Sequence, residues 1–445
     1  MRTVVIGAGE VGFTAAKLLS NEGHQVVLVE TDGARVEHAS ENLDALVIHG
    51  NGASPRLLSE AGVDHSDLLV AASNSDEVNI IACLSAKSRG VKQTVARLHN
   101  SDYYDPRDEG RQEMLGIDHV IHTEEMATRN IRDALLVPGA ANIDSFADGR
   151  IGVAEVILDR SSPAVGKTLK EIELPEHSLM VGVVRNGEAL VPGGDTRIEV
   201  QDHVLLVSGR ESLSRVVRAV ATDTAPVRDV IIYGGGRVGL SLALALERER
   251  MSVKVIERDP DRARVVASEL RRGLVLNSDA LSEDFLLQER VDKTDAFVAV
   301  TGDDRANMLA AMYAGRLGAR STIAGLSSGE FAPLSDALGV DVTISPRVLA
   351  SEAILRFVRR GEVVNVALLQ SNAEMIELRV PQNGCRVTGR PLSEVSFPKG
   401  AIVGALLRDD EVVIPRGADS LRPGDDAVIF TIESAVDEVE NLFAP

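Results

Sequence analysis

Three glycines near the start of the chain have the spacing of a turn that binds phosphate groups. The motif GAGEVG follows a β-branched run and precedes a predicted helix, and a glutamate ends the next predicted strand 23 positions after the first glycine. In this context the first glycine permits a tight turn, the second lets the backbone approach a phosphate, and the third lets helix pack on strand, while the carboxylate can accept a hydrogen bond from a ribose hydroxyl. We therefore predict nucleotide binding at the positive end of the helix dipole. The candidate residues are Gly7, Ala8, Gly9, Glu10, Val11, Gly12, Glu30 and Thr31.

The same motif returns 227 residues later in the chain. The sequence GGGRVG is again followed by a glutamate 23 positions after its first glycine. Arg237 stands where the first copy has Glu10, and Arg258 stands where it has Thr31. A guanidinium can pair with a phosphate, whereas Glu10 would repel one unless its side chain points outward. The candidate residues of this motif are Gly234, Gly236, Arg237, Val238, Gly239, Glu257 and Arg258.

An arginine and a glutamate stand at the ends of two later predicted strands. Arg97 ends the fifth strand, where its fork of donors can hold a terminal phosphate. Glu124 follows the sixth strand, where its carboxylate can bind a divalent cation beside that phosphate or stabilise an interface. The alternative is that the two side chains form an ordinary surface ion pair. The second copy has Gly325 and Arg347 at these positions, which favours a functional difference between the two sites.

Small polar residues follow two other predicted strands. Ser73 and Asn74 follow the fourth strand and are expected to line the pocket, whereas Asp76 is expected only to cap the next helix. Asn51 and Gly52 form a predicted turn after the third strand, on the side of the crevice where an adenine would lie. The nine histidines show no metal-ligand spacing such as HExxH, so no metal site is predicted.

An internal repeat supplies the elements that must position these residues. Short β-branched runs alternate with helical segments in the first large unit and again in a second one, which is typical of a doubly wound parallel sheet. Such sheets bind ligands at the carboxyl ends of their strands. The predicted strands of the first unit are Thr3–Ile6, Gln25–Val29, Ala45–Ile48, Leu68–Ala72, Gln93–Ala96 and His119–Ile121.

A smaller repeat follows each large unit. Its landmarks hold one register, since Gly166 returns as Gly389 and Asp202 as Asp425, each 223 positions later. Short strands separated by turn sequences, with one C-terminal helix each (211–221 and 434–442), make α+β the expected class of the small units. The sequence thus predicts four domains, at 1–137, 138–225, 226–361 and 362–445.

Composition and charge exclude several classes of partner. The chain has 47 basic and 67 acidic residues, a net charge of −20, which disfavours nucleic acid and anionic lipid as direct partners. No run of 18 apolar residues is present, and the two cysteines lie 302 positions apart, so we expect no bilayer insertion, no disulfide framework and a cytoplasmic location.

A dehydrogenase would need an acid–base residue against the nicotinamide, and the small units offer no such cluster. Two nucleotide-binding units without a catalytic cluster indicate a sensor and not an enzyme.

The combination of motifs resembles the RCK (KTN) family, in particular the TrkA-type regulatory subunits of Trk potassium uptake systems. The resemblance covers the whole chain and rests on GAGEVG with its glutamate, on ASNSDEVN, ARLHN and HTEE, and on GKTLKEIELP…VPGGDT…VQD in the small units. It implies tandem Rossmann-like RCK N-terminal domains, each followed by a small α+β RCK C-terminal domain. It also implies a homotetrameric gating ring on the cytoplasmic face of a TrkH- or KtrB-like membrane subunit, with ATP and ADP or NAD and NADH as the ligands that control the ion path.

The resemblance also assigns residues to two pockets. In the first, Asn51, Ser73 and Arg97 join the glycine loop and its glutamate. In the second, Gly325 and Arg347 replace the arginine and glutamate of the pattern, so a dinucleotide or monophosphate is expected there instead of a triphosphate. The residues of that second pocket are Gly234, Gly236, Gly239, Glu257, Asn277 and Thr301.

Three other functions stay open at this point. The chain could regulate a potassium efflux or antiport system, which uses related units, although the tandem arrangement favours uptake. It could be an NAD(P)-dependent oxidoreductase, which NADH turnover with carbonyl substrates would reveal. It could also be a structural scaffold with vestigial pockets, which would show no thermal shift with nucleotides.

Overall fold

Two kinds of sheet alternate along the chain. The computed structural model describes residues 1–100, 103, 109–222, 224–327, 338–357, 363–369 and 372–444. Within them, each of two six-stranded sheets is followed by a five-stranded sheet. The expected fold class is thereby confirmed as tandem parallel sheets, each followed by a small antiparallel-sheet domain. The four domain ranges stay predictions, and the boundary between 361 and 362 lies outside the described residues.

The first sheet is parallel throughout. Its strands are β1 (Arg2–Ile6), β2 (Gln25–Glu30), β3 (Leu46–His49), β4 (Leu68–Ala71), β5 (Gln93–Arg97) and β6 (His119–Ile121), and its helices are α1 (Glu10–Asn21), α2 (Gly33–Asn42), α3 (Pro55–Glu60), α4 (Asp76–Ser88), α5 (Glu109–Met114) and α6 (Thr123–Leu136). The observed strand bounds agree with the predicted ones to within one residue. The strand order is β3-β2-β1-β4-β5-β6, so the order reverses between β1 and β4. Doubly wound sheets bind ligands at that reversal.

The second large sheet repeats this order. Its strands are β12 (Asp229–Tyr233), β13 (Ser252–Glu257), β14 (Leu274–Asn277), β15 (Ala296–Ala299), β16 (Thr322–Gly325) and β17 (Val342–Ile344). Its described helices are α8 (Arg237–Arg248), α9 (Pro260–Glu269), α10 (Glu283–Gln288), α11 (Asp304–Leu317) and α12 (Pro346–Leu355). The order β14-β13-β12-β15-β16-β17 places the reversal between β12 and β15. The central strands of both sheets are almost entirely buried, as expected for a sheet covered on both faces.

The small domains are antiparallel sheets with a short helix after the last strand. The first contains β7 (Asn142–Phe146), β8 (Ile151–Ile157), β9 (Ser178–Arg185), β10 (Glu188–Leu190) and β11 (His203–Gly209), and the second contains β18 (Val363–Leu369), β19 (Ala373–Arg379), β20 (Ala401–Arg408), β21 (Glu411–Val413) and β22 (Asp426–Ile432). Each predicted C-terminal helix starts as a 3-10 turn, at Arg210–Ser212 and Glu433–Ala435, and continues as α7 (Leu213–Arg218) and α13 (Val436–Phe443).

One buried ion pair recurs in the two small domains. Arg185 contacts Asp202 at 2.7 Å, and Arg408 contacts Asp425 at 2.6 Å, with both aspartates almost fully buried. A bidentate guanidinium satisfies a buried carboxylate, and the arginine is needed because an unpaired charge there would be costly. This pairing explains why the two aspartates keep one register in the sequence repeat.

The chain divides into two compact units. The first contains residues 1–127 together with the described parts of 325–332 and 345–358, and the second contains the rest of the described chain. In the first unit, α12 packs against α1, and Phe357 just beyond it stacks on His119 with ring centroids 4.1 Å apart. In the second unit, the two small sheets share one apolar core that includes Phe146, Val207 and Phe430.

Candidate functional site

The first glycine loop is shaped by close contacts that only glycine permits. Gly7 has a φ of 95°, and a Cβ atom there would lie 2.8 Å from the Ser73 Cα. A Cβ atom at Gly12 would lie 1.9 Å from the Gly7 carbonyl oxygen, so this glycine lets α1 pack against the loop. At Gly9 the nearest atom to a Cβ would be Nη1 of Arg35, at 3.7 Å. The backbone at Gly9 therefore leaves space beside it.

The second glycine loop has the same geometry. Gly234 has a φ of 109°, and its Cβ would lie 2.9 Å from the Thr301 backbone nitrogen. A Cβ at Gly239 would lie 1.8 Å from the Gly234 carbonyl oxygen, whereas at Gly236 it would meet no atom within 4 Å. The two loops thus share two glycines needed for packing and one that leaves space at the backbone.

Both loops lead into a helix whose first turn has no side-chain cap. Gly9 and Gly236 are the N-cap residues of α1 and α8, and neither helix receives a capping hydrogen bond from a side chain. By contrast, Asp32, Ser54 and Ser75 cap α2, α3 and α4. Backbone N–H groups at an uncapped helix start are the usual donors to a bound phosphate. The first turns contain Glu10 and Val11 in one copy and Arg237 and Val238 in the other, and both charged side chains are exposed.

The glutamate after each loop is oriented by backbone N–H groups. Glu30 accepts hydrogen bonds from the backbone of Ala8 at 2.5 Å, Thr31 at 2.6 Å and Asp32 at 2.9 Å. Burial raises the pKa of this carboxyl, but these hydrogen bonds outweigh burial and lower the pKa below its ordinary value. The side chain is therefore an ionised acceptor at the crevice, the state needed to bind ribose hydroxyls.

Glu257 makes the matching contacts in the second copy. Its carboxylate accepts from the backbone of Gly235 at 2.7 Å and of Asp259 at 2.8 Å. Arg262 on α9 donates from Nε to the Gly235 carbonyl oxygen at 2.5 Å, so a guanidinium lies against this loop. Arg258, which sequence reasoning favoured, is exposed.

Ser73 lies where β4 ends and contacts the glycine loop, whereas Asn74 is exposed. The Ser73 hydroxyl donates to Oδ1 of Asn79 at 2.7 Å. The expectation that Asp76 only caps α4 is wrong. Ser75 is the cap, and the Asp76 carboxylate instead accepts from backbone N–H groups just after β5, because its place in the first turn brings it beside that strand end.

Arg97 and Glu124 lie on neighbouring elements. Arg97 is the last residue of β5, and Glu124 is the second residue of α6, just after β6. The Glu124 carboxylate contacts Nδ1 of His99 at 2.7 Å and accepts from the Thr123 hydroxyl at 3.0 Å. Burial raises the pKa of Glu124, but the hydrogen bond and charge of His99 and local hydrogen bonds lower it to about 2. With only 16 % of its side chain exposed, Glu124 is not an ordinary surface residue.

The second copy keeps these positions but not their chemistry. Gly325 is the last residue of β16, and Arg347 is the second residue of α12, so each is in the place that the sequence comparison gave it. Gly325 lacks the positive charge that Arg97 has in the first copy, and Arg347 is positive where Glu124 is negative. Thr301 repeats the role of Ser73, since its backbone N–H and hydroxyl both donate to Oδ1 of Asn307.

The turns after β3 and β14 contain the same hydrogen bond, since Oδ1 of Asn51 accepts from the Ala53 backbone and Oδ1 of Asp279 accepts from the Leu281 backbone. The Asn51 side chain accepts from the Ala53 backbone N–H at 2.8 Å, and a Cβ atom at Gly52 would lie 2.0 Å from Cγ2 of Ile6. Asn277 ends β14 and pairs with Glu257, as His49 pairs with Glu30, and its amide donates to the carbonyls of residues 257 and 258.

Sequence reasoning missed four site residues that the repeat could have revealed. Asn79 and Asn307 occupy the same place in the two copies, six residues after Ser73 and Thr301. Arg35 and Arg262 likewise match at the offset of the glycine motif. The signal is an identical polar residue at the same position of two copies that otherwise differ, because exposure to solvent does not require one particular polar residue.

Neither a metal centre nor a membrane span is found in what the structure describes. No group of three or more His, Cys, Asp or Glu in the described ranges is arranged to hold a metal ion. No helix among the described elements is long and apolar enough to cross a bilayer.

The fold and the paired loops define a tandem RCK-type protein with two Rossmann-like nucleotide-binding domains. Family models agree with this class, because the TrkA-N domain matches residues 3–123 and 230–346 and the TrkA-C domain matches residues 153–221 and 375–444. The chain belongs to the TrkA family.

Relatives in this family match the chain over its whole length, and solved structures share its fold. The Trk system potassium uptake protein TrkA homolog 1 of Methanosarcina mazei is 34% identical over 452 residues and covers all of both chains. The Trk system potassium uptake protein TrkA of Haemophilus influenzae is 33% identical and covers 100% of this chain and 99% of its own. The RCK domain of GsuK superposes with a TM-score of 0.63 at 17% identity, covering 99% of this chain and 94% of that one. The GsuK channel bound to NAD gives 0.62 at 18% identity, with 99% and 78% covered.

Proposed function

We propose that the chain is the nucleotide-sensing regulatory subunit of a Trk-type potassium uptake system, and that it controls a membrane ion-conducting subunit by binding and not by catalysis. The observation that carries the proposal is the duplicated loop, open at Gly9 and Gly236 and followed in each copy by a glutamate whose carboxylate is oriented by backbone N–H groups. Full-length relatives named as Trk potassium uptake proteins support the transport role. The GsuK channel structures bound to NAD and to ADP support these ligand classes.

The first site suits a nucleotide with a phosphate chain. Glu30 is held by the loop that would meet the phosphates, so one ligand can contact both through its ribose and its pyrophosphate. Asn51 and Gly52 follow β3, the edge strand beside β2, and we assign them to the adenine side. At the other end, Arg97 supplies a guanidinium for a third phosphate. ATP, ADP, NAD and NADH all share the ribose and pyrophosphate part.

The second site suits a different ligand. Gly325 ends β16, so no guanidinium from that residue can hold a third phosphate. Arg347 reverses the charge supplied by Glu124 in the first copy. We therefore assign a dinucleotide or a monophosphate to the pocket of Gly234, Gly236, Gly239, Glu257 and Thr301, with Asn277 holding the strand ends beside it.

Titration calorimetry on Arg97→Ala tests the nucleotide part of the proposal. Wild-type chain should bind ATP and ADP, and the variant should lose about tenfold or more in affinity for ATP relative to ADP, because a charge-assisted hydrogen bond contributes about 1.5–3 kcal/mol. Arg258→Ala, at an exposed position of the second copy, is the matched control and should leave the ratio unchanged. An unchanged ratio in Arg97→Ala removes this residue from the role.

The membrane partner is proposed to be a TrkH- or KtrB-like subunit, bound by a homotetrameric ring of this chain. A chain with a net charge of −20 would be repelled by anionic lipid, so recruitment to the membrane requires basic surface on a protein partner. A pull-down with the membrane subunit should weaken as salt rises. Binding to anionic vesicles without the partner would contradict this.

A ligand can drive the switch only through different affinities for two states of the ring. Moving a population from 1:99 to 99:1 requires about 5.5 kcal/mol, which several coupled sites can supply together. NADH turnover with carbonyl substrates would overturn the regulatory proposal in favour of an oxidoreductase.

A further inference from the structure

The side chain of Asn79 ties two strand ends together at the first site. Its Oδ1 accepts from the backbone N–H of Ser73 at 3.0 Å and from the Ser73 hydroxyl at 2.7 Å. Its Nδ2 donates to the carbonyl of Ser73 at 3.0 Å and to the carbonyl of Arg97 at 2.8 Å. A carboxamide has two donor hydrogens and two acceptor positions, so this fully buried group is satisfied. It therefore fixes the spacing between the ends of β4 and β5.

Asp76 holds the residues that follow β5. Both of its oxygens lie 3.0 Å from the backbone nitrogen of His99, and Oδ2 accepts from the backbone of Asn100 at 2.8 Å. Hydrogen bonds to an ionised carboxylate are stronger than those between neutral groups. Asp76 and Asn79 thus hold the backbone of the segment 97–100, and their hydrogen bonds fix the positions of the Cα atoms that carry its side chains.

The 97–100 segment and Ser73 lie on opposite sides of the proposed phosphate position. His99 contacts Glu124 at 2.7 Å, and Arg97 begins the segment. On the other side, Ser73 lies against Gly7, where an added Cβ would come within 2.8 Å of the Ser73 Cα. Asn79 therefore links Ser73, beside the glycine loop, to the start of the 97–100 segment, and Asp76 holds the end of that segment.

We propose that Asp76 and Asn79 are positioning residues that set the preference of the first site between nucleoside triphosphate and diphosphate. The inference rests on the proposed function. The glycine loop and Glu30 contact the part that both ligands share, whereas Arg97 meets only the third phosphate. Small displacements of a positioning segment reduce binding only for the groups that it contacts. Loosening 97–100 therefore weakens ATP binding more than ADP binding.

The second copy offers a matched control. Asn307 repeats the contacts of Asn79, with Oδ1 accepting from the Thr301 backbone at 2.9 Å and hydroxyl at 2.6 Å, and Nδ2 donating to the Thr301 carbonyl at 3.1 Å. The strand end that follows carries Gly325 instead of an arginine. The same substitution at Asn307 disturbs an equivalent hydrogen-bond network without moving a phosphate-binding guanidinium.

The test compares Asn79→Asp with Asn307→Asp by calorimetry with ATP and with ADP. Asn79→Asp keeps the shape but replaces the donating amide by an oxygen facing the Arg97 carbonyl. We expect the ATP-to-ADP affinity ratio to fall about tenfold in Asn79→Asp and to stay within about twofold of wild type in Asn307→Asp. Asp76→Asn should lower the ratio in the same direction by about threefold, because one acceptor oxygen is kept.

Each outcome decides the proposal. If Asn79→Asp melts at a lower temperature but keeps the wild-type ratio, the residue is structural only and the inference is wrong. Should Asn79→Asp fail to fold, as judged by its circular dichroism, the ratio in Asp76→Asn decides in the same way. If the wild-type chain binds neither ATP nor ADP, this inference is wrong. If it also binds neither NAD nor NADH, the proposed function itself fails, which a change confined to the ratio cannot produce.

Discussion

The core between the two small sheets is predicted to weaken as the pH rises, because of Glu377. This side chain lies on β19 and is only 2 % exposed, and its carboxylate accepts from the Ala147 backbone N–H at 3.1 Å. Burial raises its pKa to about 7, an effect opposed by the Ala147 hydrogen bond and by Arg379 and reinforced by the charges of Asp426 and Asp148. The group is therefore mostly protonated in the folded chain at mildly acid pH.

The direction and size of the effect follow from linkage. An acid whose pKa is raised in the folded state binds more protons folded than unfolded between the two pKa values, so stability falls as pH rises through that window. The ordinary value of 4.5 and the folded value of about 7 define the window for Glu377. One pKa unit corresponds to about 1.4 kcal/mol, so the local free energy of unfolding should fall by about 2–3 kcal/mol between about pH 5 and about pH 8.

Hydrogen exchange of the β19 amides in wild type and Glu377→Gln measures this effect. Glutamine keeps the size and an acceptor oxygen but does not ionise. The ratio of the wild-type exchange rate to the variant exchange rate should rise by roughly fiftyfold to hundredfold from about pH 5 to about pH 8. Taking this ratio at each pH removes the pH dependence of the intrinsic exchange rate, which is the same for both proteins. Glu411→Gln, at an exposed position on β21 of the same sheet, should give a constant ratio. A constant ratio for Glu377→Gln would refute the reasoning.

Two further predictions concern the large domains. Gly239→Ala should lower the stability of its domain by about 2–3 kcal/mol in thermal melts, because its Cβ would lie 1.8 Å from the Gly234 carbonyl oxygen. Gly236→Ala should melt like wild type but bind NAD or AMP more weakly in calorimetry. Equal melting temperatures for the two variants would contradict this prediction. Glu124→Gln should cost about 3 kcal/mol at neutral pH, because the pKa of Glu124 is lowered from 4.5 to about 2 beside His99. That difference from wild type in denaturant melts should be complete above about pH 4.5 and shrink as pH falls towards about 2, and a pH-independent difference would contradict the assignment.

The parallel sheets were predictable because their signals are local and occur twice. A β-branched run followed by a glycine loop identifies a strand, its carboxyl end and the next helix, and the second copy repeats the pattern with the same spacing. Residues at strand ends, such as Arg97 and Ser73, were therefore placed from the sequence alone. The small-domain aspartates, Asp202 and Asp425, were found as landmarks for the same reason.

What could not be predicted depends on contacts between distant segments. Nothing local shows that Asp76 binds the backbone after β5, because its spacing is equally typical of a helix cap. The amide of Asn277 binds the carbonyls of residues 257 and 258, a contact between two strand ends that the sequence does not show. The raised pKa of Glu377 depends on Ala147, which lies 230 residues earlier in the chain.

Potassium flux tests the central claim most directly. A Trk-type membrane subunit would be reconstituted in liposomes with this chain on its cytoplasmic side, and flux would be measured with ATP, ADP, NAD or NADH present. The account predicts that flux changes with the nucleotide only when the chain is present, and that the difference between ATP and ADP is lost in Arg97→Ala. Flux that is the same with every nucleotide, and the same with and without the chain, would contradict it.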